Sequence, residues 1–291
     1  MSLRLRDRTL ELRETLLMGI VNATPDSFSD RQESKEPAEL AELAHAQVDA
    51  GAALIDVGGE SGRTDTDPIP VEEEIARVVP LVERLSGERV TVSVDTWRAP
   101  VANAALDAGA AMINDVSALS DPEIADACAR TGAALVITHT RIPPKTKGFP
   151  AYADVVEDVI AVLGERSEEA RARGVSADQL VLDPGIDLAK TPTESVEVLR
   201  RLPELHALGR PLLLAVSRKD FIGAITQRSP AARLGGTLAA VGVAAEGGAS
   251  IIRVHDVAEA RDYLAVRAAL RGAPLADGAS PLDPGLRREP V

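Results

Sequence analysis

The chain has 291 residues and a formal net charge of −13, with 45% hydrophobic residues but only 2% aromatic ones. That length suits one closed α/β barrel of about 250 residues plus tails, and the scarcity of aromatics excludes a carbohydrate cleft lined by them. The acidic balance gives no chain-wide basic footprint, so nucleic acid and anionic membrane are not expected as partners, and an anionic ligand needs a local basic pocket.

Residues 1–13 alternate charge with Leu instead of forming an apolar signal core, and no run reaches the ~18 apolar residues of a membrane span. The chain reads as soluble and cytoplasmic. An apolar strand over 16–21 then enters a Pro-broken loop carrying Asn22, Thr24, Asp26, Ser27 and Asp30. Taken alone, Thr-Pro-Asp-Ser is ordinary turn chemistry.

Four segments repeat one pattern: Val48-Asp-Ala-Gly-Ala-Ala-Leu-Ile-Asp-Val57, Leu106-Asp-Ala-Gly-Ala-Ala-Met-Ile-Asn-Asp115, Ala129-Arg-Thr-Gly-Ala-Ala-Leu-Val-Ile-Thr138 and Ala245-Glu-Gly-Gly-Ala-Ser-Ile-Ile-Arg-Val254. Each reads as a helix end, a glycine and a short strand. Gly51, Gly109, Gly132 and Gly248 fit the left-handed position just past a helix. Further strands are expected at 90–94, 180–182 and 211–216. Between them, Ile75, Val78, Val79 and Val82 form a helical stripe, as do Val155, Val159, Val162 and Leu163. Pro80 is expected to kink the first of these helices. The lone Cys128 permits neither an intrachain disulfide nor a cysteine metal cluster, and it reads as a core residue.

Eight strands alternating with helices point to a single-domain (β/α)8 TIM barrel over residues 1–270, followed by a flexible tail at 271–291. A doubly wound sheet is the competitor, but no G-x-G-x-x-G turn follows any strand. In a barrel the reactive groups come from the C-terminal strand ends. Those ends carry Asn22; Asp56 with Glu60, Ser61 and Arg63; Asp95; Asn114 and Asp115; His139; Asp183; Ser217, Arg218 and Lys219; and Arg253, His255 and Asp256. Carboxylates and an amide suit a ligand edge rich in hydrogen-bond donors, and Arg, Lys and His suit an anion.

From about Leu17 to Leu270 the chain resembles the dihydropteroate synthase family. The resemblance is carried by Met18-Gly-Ile-Val-Asn-Ala-Thr-Pro-Asp-Ser-Phe-Ser-Asp30, Asp56-Val-Gly-Gly-Glu-Ser61, Ser93-Val-Asp-Thr96, Ile113-Asn-Asp-Val116, Asp183-Pro-Gly-Ile186, Ser217-Arg-Lys219 and Arg253-Val-His-Asp-Val257. It implies condensation of p-aminobenzoate with 6-hydroxymethyl-7,8-dihydropterin diphosphate, with release of diphosphate. By the same resemblance, Asp95, Asn114, Asp183, Lys219 and Arg253 would bind the pterin. Asn22, Arg63, Arg253 and His255 would hold the diphosphate with Mg2+, for which Asn22 is the candidate ligand. Asn22, Lys219, Arg253 and His255 are then the candidate catalytic residues, and a homodimer is implied.

The same comparison marks departures on one substrate's side. The family's usual Ser-Thr-Arg-Pro-Gly reads Ser61-Gly62-Arg63-Thr64-Asp65, a usual glycine pair reads Arg31-Gln32, and Gly-Phe-Gly-Lys reads Asp187-Leu-Ala-Lys190. Gly62, Leu188 and Ser217 are therefore the residues expected on the p-aminobenzoate side. Two other readings stay open at this level: a non-catalytic pterin-binding paralogue, and the folate-binding domain of a corrinoid methyltransferase. His139 is expected to be structural, His45 and His206 to lie on solvated helix faces, and Trp97 to pack beneath the rim.

Overall fold

The computed structural model describes residues 1–24, 37–60 and 67–274. Its first element is absent from the strands expected above. The alternation of Leu and charge in residues 1–13 is a strand period, and it builds an antiparallel hairpin of β1 (Ser2–Leu5) and β2 (Arg8–Glu11). Leu3 and Leu5 bury one face of it.

The eight barrel strands follow: β3 (Leu16–Asn22), β4 (Leu54–Gly58), β5 (Val92–Asp95), β6 (Met112–Asp115), β7 (Ala134–Thr138), β8 (Leu180–Asp183), β9 (Leu213–Ala215) and β10 (Ile251–Arg253). All pair in parallel from β8 through β3 and β10 to β9. A bridge between Leu182 and Leu212, with the Leu182 N–H donating to Pro211 O at 2.9 Å, closes the ring. Four strands differ in extent from expectation. The 16–21 and 180–182 strands each run one residue further, to Asn22 and Asp183; the 90–94 strand begins two residues later and ends one later, on Asp95; and the 211–216 strand shortens to three residues, its start trimmed because Pro211 has no N–H to give a ladder.

Helices α1 (Pro37–Asp49), α2 (Val71–Gly87), α3 (Ala99–Asp107), α4 (Glu123–Thr131), α5 (Val155–Ala172), α6 (Pro192–Arg200), α7 (Asp220–Thr226), α8 (Leu234–Glu246) and α9 (Val257–Leu270) lie between and after the strands. The four repeat glycines all have positive φ, from +74° at Gly132 to +110° at Gly51. α2 runs unbroken through Pro80, its second half held by fully buried Leu81, Val82 and Leu85. Its buried stripe is rotated from the expected one: Val78 and Val82 face the core, but Ile75 and Val79 are only half-buried. In α5, Val155, Val159, Val162 and Leu163 are buried as the stripe predicts. Cys128 is buried and burial pushes its thiol pKa up, as a core residue requires. No helix among the described residues is long and apolar enough to cross a membrane. Of the expected tail, residues 275–291 lie outside the described residues.

Inward positions separate the barrel into two levels. Leu54, Met112, Leu213 and Ile251 each open their strand and cluster with Leu3, Leu5 and Leu12, so the hairpin plugs the N-terminal end with apolar side chains. Asn22, Asp95, Asp183 and Arg253 each close a strand at the other end. Strand periodicity thus delivers polar residues to one rim.

Candidate active site

The centre of that rim is an arginine held by two acids. Arg253 donates through Nε to Asp56 Oδ2 at 2.6 Å and through Nη2 to Asp95 Oδ2 at 3.1 Å. Asn114 Nδ2 donates to the same Asp56 oxygen at 3.0 Å, which leaves the amide oxygen as its acceptor. Asp56 is fully buried, and its second oxygen, Oδ1, has no hydrogen-bond partner. Sequence reading placed Asp56 at a strand end but gave it no task; in the structure it is the middle residue of β4, paired with Ile20 and Ser93, while Asp95 is the last residue of β5.

Asp183 closes β8 nearby, and its Oδ1 accepts the Gly185 N–H at 2.7 Å. Burial pushes the Asp183 carboxyl up to about 6, against the pull of that N–H and the charges of Lys219, Lys190 and Arg253. Burial likewise pushes Asp95 up to about 7; Arg253 opposes the shift, and Asp56 and Glu74 add to it. The Asp95 side chain retains 22% exposure, so its carboxylate faces the pocket mouth while protein walls it elsewhere. Lys219 acts electrostatically on both acids from the start of α7. Asp95, Asn114, Asp183, Lys219 and Arg253 are therefore gathered at one rim.

A second cluster flanks the arginine. Ser217 Oγ accepts the His255 backbone N–H at 3.2 Å and lies 2.9 Å from His255 Nδ1. Burial pushes the His255 pKa down to about 4, with Arg253 and Arg218 adding to the effect. The shift favours the uncharged ring, so His255 would meet an anion through a ring hydrogen bond more than through charge. Arg218 is committed to Asp256 by two bonds of 3.2 and 2.6 Å. Ser217, expected on the arylamine side, thus sits beside His255, expected at the diphosphate. Asn22 ends β3 opposite Gly58 in register, and a Cβ added to Gly58 would lie 3.5 Å from Asn22 Oδ1 and 3.9 Å from Asp95 Cβ. Those are ordinary contact distances, and they show how near Asn22 and Asp95 lie to one point of the rim.

Leu188 is half-buried in the loop after β8, its N–H donating to Gly185 O at 3.0 Å. Gly62 and Arg63 lie outside the described residues, as do Asp26, Ser27, Asp30 and Ser61. His139 is structural: fully buried, it places Nε2 2.9 Å from Asp158 Oδ2 and Nδ1 2.7 Å from Lys190 Nζ. His206 is exposed, whereas His45 is only half-buried and sits 2.6 Å from a Glu88 oxygen. Trp97 is half-buried, with the Arg98 guanidinium 5.1 Å from its ring centre.

The pocket thus combines buried acceptors for a polar ring with cations for an anion. Residues 18–255 match the family described as pterin binding enzyme. The chain is 42% identical over 249 residues to the dihydropteroate synthase of Synechocystis sp., covering 84% of this chain and 86% of that one. The chain belongs to the dihydropteroate synthase family. It is also 44% identical over 246 residues to a probable bifunctional folylpolyglutamate synthase/dihydropteroate synthase of Haloferax volcanii, a match that covers 84% of this chain and 29% of that longer protein. Two Xanthomonas albilineans dihydropteroate synthase structures share the fold. One, with 4-aminobenzoic acid, has TM-score 0.87 and 41% identity over 94% of this chain and 100% of that chain. The other, in complex with 7,8-dihydropteroate, has TM-score 0.85 and 39% identity over the same shares.

Proposed function

We propose that the chain is an active transferase of folate biosynthesis, joining p-aminobenzoate to 6-hydroxymethyl-7,8-dihydropterin diphosphate. The observation that carries this is the Arg253–Asp56–Asp95–Asn114 cluster, with Asp183 and Lys219 beside it, inside a chain about 40% identical to such synthases over most of its length. The arylamine nitrogen forms a bond to the pterin methylene carbon as the carbon–oxygen bond to diphosphate breaks. The nitrogen then loses a proton, and the diphosphate departs with the electron pair.

Asp95 and Asp183 accept from the amino-pyrimidinone edge, and the Asn114 oxygen accepts beside them. Lys219 covers the carbonyl side of the ring, and the Arg253 guanidinium stacks on its face. Asn22, Arg63, His255 and Arg253 take the leaving diphosphate. Gly62, Leu188 and Ser217 line the arylamine side. The arylamine is already a nucleophile, so the residues mainly position two substrates and stabilise a departing anion.

The donor set bears on magnesium. Among the described residues, no group of three or more His, Cys, Asp or Glu could hold a metal. That fits an ion carried largely by substrate phosphate oxygens and water, for which one amide oxygen at the rim suffices. Asn22 would hold Mg2+ there, and the ion would supply charge neutralisation to the diphosphate. The lone cysteine supports a cytoplasmic setting. By the family resemblance, the chain would pair as a homodimer through barrel helices.

The test is turnover. Purified protein given the pterin diphosphate, p-aminobenzoate and magnesium should release diphosphate and form dihydropteroate. Pterin binding without diphosphate release would leave a binding protein, and methyl transfer from methyltetrahydrofolate to a corrinoid would replace the reading altogether.

A further inference from the structure

Lys219 has a positioning problem that its own helix does not solve. It is the residue flanking the start of α7, and the first N–H groups of a helix need acceptors that a lysine side chain cannot supply. The acceptor arrives from another element. Asp187 Oδ2, in the loop after β8, takes the Phe221 N–H at 3.2 Å, two residues beyond Lys219.

Asp187 is itself held on its other side. Ser195 Oγ, fully buried on α6, donates to Asp187 Oδ1 at 3.0 Å and accepts the Asp187 N–H at 3.1 Å. The backbone at Asp187 has φ +64°, a left-handed conformation that a side chain makes unfavourable and that Asp tolerates better than most residues. The chain therefore carries a carboxylate where the backbone favours none, and the carboxylate ties two elements together.

Both elements bring a pocket residue. Asp183 lies four residues before Asp187, and Lys219 two residues before Phe221. We propose that Asp187 is a positioning residue that fixes Lys219 relative to Asp183 by capping α7 from the β8 loop. This rests on the reading of Lys219 and Asp183 as pterin ligands. The interaction sets how well the polar ring is gripped.

The experiment compares D187A, D187N and D187G in the full chain by calorimetric binding of the pterin diphosphate, steady-state kinetics and thermal unfolding. D187A should weaken pterin binding roughly 3- to 30-fold, the span of losing one helix cap, and raise KM for the pterin substrate more than it lowers kcat. D187N keeps an acceptor oxygen and should restore most of the affinity. D187G relieves the positive φ, so its Tm should match or exceed that of D187A while its pterin affinity stays low. In a K219A background, D187A should cost little further affinity, because the two residues act through one grip. Wild-type pterin affinity in D187G, or additive losses in the double variant, would overturn the proposal. Failure of the wild-type chain to bind the pterin diphosphate would instead overturn the functional reading beneath it.

Discussion

At the N-terminal end of the barrel, Arg4 donates to Ser176 and to Gln179 Oε1, while Arg6 reaches the carbonyls of Leu106 at 2.7 Å and Ala110 at 3.1 Å. Mainly neutral acceptors hold these cations: the only carboxylate near Arg4 among the described residues, Asp178, is 56% exposed, and Arg4 Nε keeps no hydrogen-bond partner. At the C-terminal end, Arg253 lies against two carboxylates, one of them fully buried, and Asp56 Oδ1 keeps no partner. Buried polar atoms are normally paired, so an unpaired one at a pocket marks structure shaped by more than stability. One end ties its cations to neutral groups of neighbouring elements and holds the barrel shut. The other leaves charge under-satisfied where a ligand would complete it.

Removing the cation should break the comparison most severely. Arg253→Met leaves Asp56 and Asp95 facing each other without a counter-charge, and breaking a buried ion pair costs about 3–5 kcal/mol of stability. If Arg253 also stabilises the departing anion, turnover should fall roughly 10²- to 10³-fold. Urea unfolding and single-turnover kinetics read the two losses separately. Retained turnover would show that the cluster is a structural device like those at the other end.

The opposite perturbation belongs on the floor. Leu3→Ala removes a fully buried side chain from the plug and should cost about 2–5 kcal/mol in urea unfolding. Because Leu3 packs among residues that open their strands, kcat and both KM values measured well below the new Tm should stay at wild type. A changed KM for the pterin substrate would mean that the ends are mechanically coupled.

How much of this was legible follows from which interactions are local. The repeated helix–Gly–strand pattern records an αβ junction within ten residues, and it predicted the barrel strands at β4, β6, β7 and β10. Strand ends likewise pointed to Asp95, Asn114, Asp183, Lys219 and Arg253. The role of Asp56 was hidden because its partners stand 58 and 197 residues away, on β6 and β10. The hairpin was missed for another reason: Leu3 and Leu5 alternate over too few residues to stand out from a charged terminus. The lowered pKa of His255 comes from burial and neighbouring arginines, neither of which a sequence displays. Gly62 and Arg63, expected at the arylamine and diphosphate sides, lie outside the described residues.

The smallest expected effect, and the most discriminating, is on pH. Asp95 and Asp183 have folded-state pKa values raised to about 7 and about 6 by burial. A raised acid contributes stability that is fully present below its unfolded pKa near 4 and is lost as pH rises through the folded value. Between about pH 8 and about pH 6, acidification therefore lets these two groups stabilise the free protein while protonation removes the acceptors a pterin edge needs. Pterin affinity should fall, by up to about tenfold per pH unit for each group titrating, over a range where these acids lend stability instead of withdrawing it. Calorimetric binding and thermal unfolding on the same samples test the opposed signs. His139 and His255, lowered to about 4, work the other way: their contribution is present above the unfolded value near 6.5 and is lost as pH falls toward 4. A Tm that rises or holds above pH 6 while affinity drops would separate the acids of the pocket from these histidines. Asp183→Asn should flatten the affinity profile near pH 6 and leave the component near pH 7, which belongs to Asp95. If affinity proved independent of pH throughout, the two carboxylates would not be the acceptors that grip the ring.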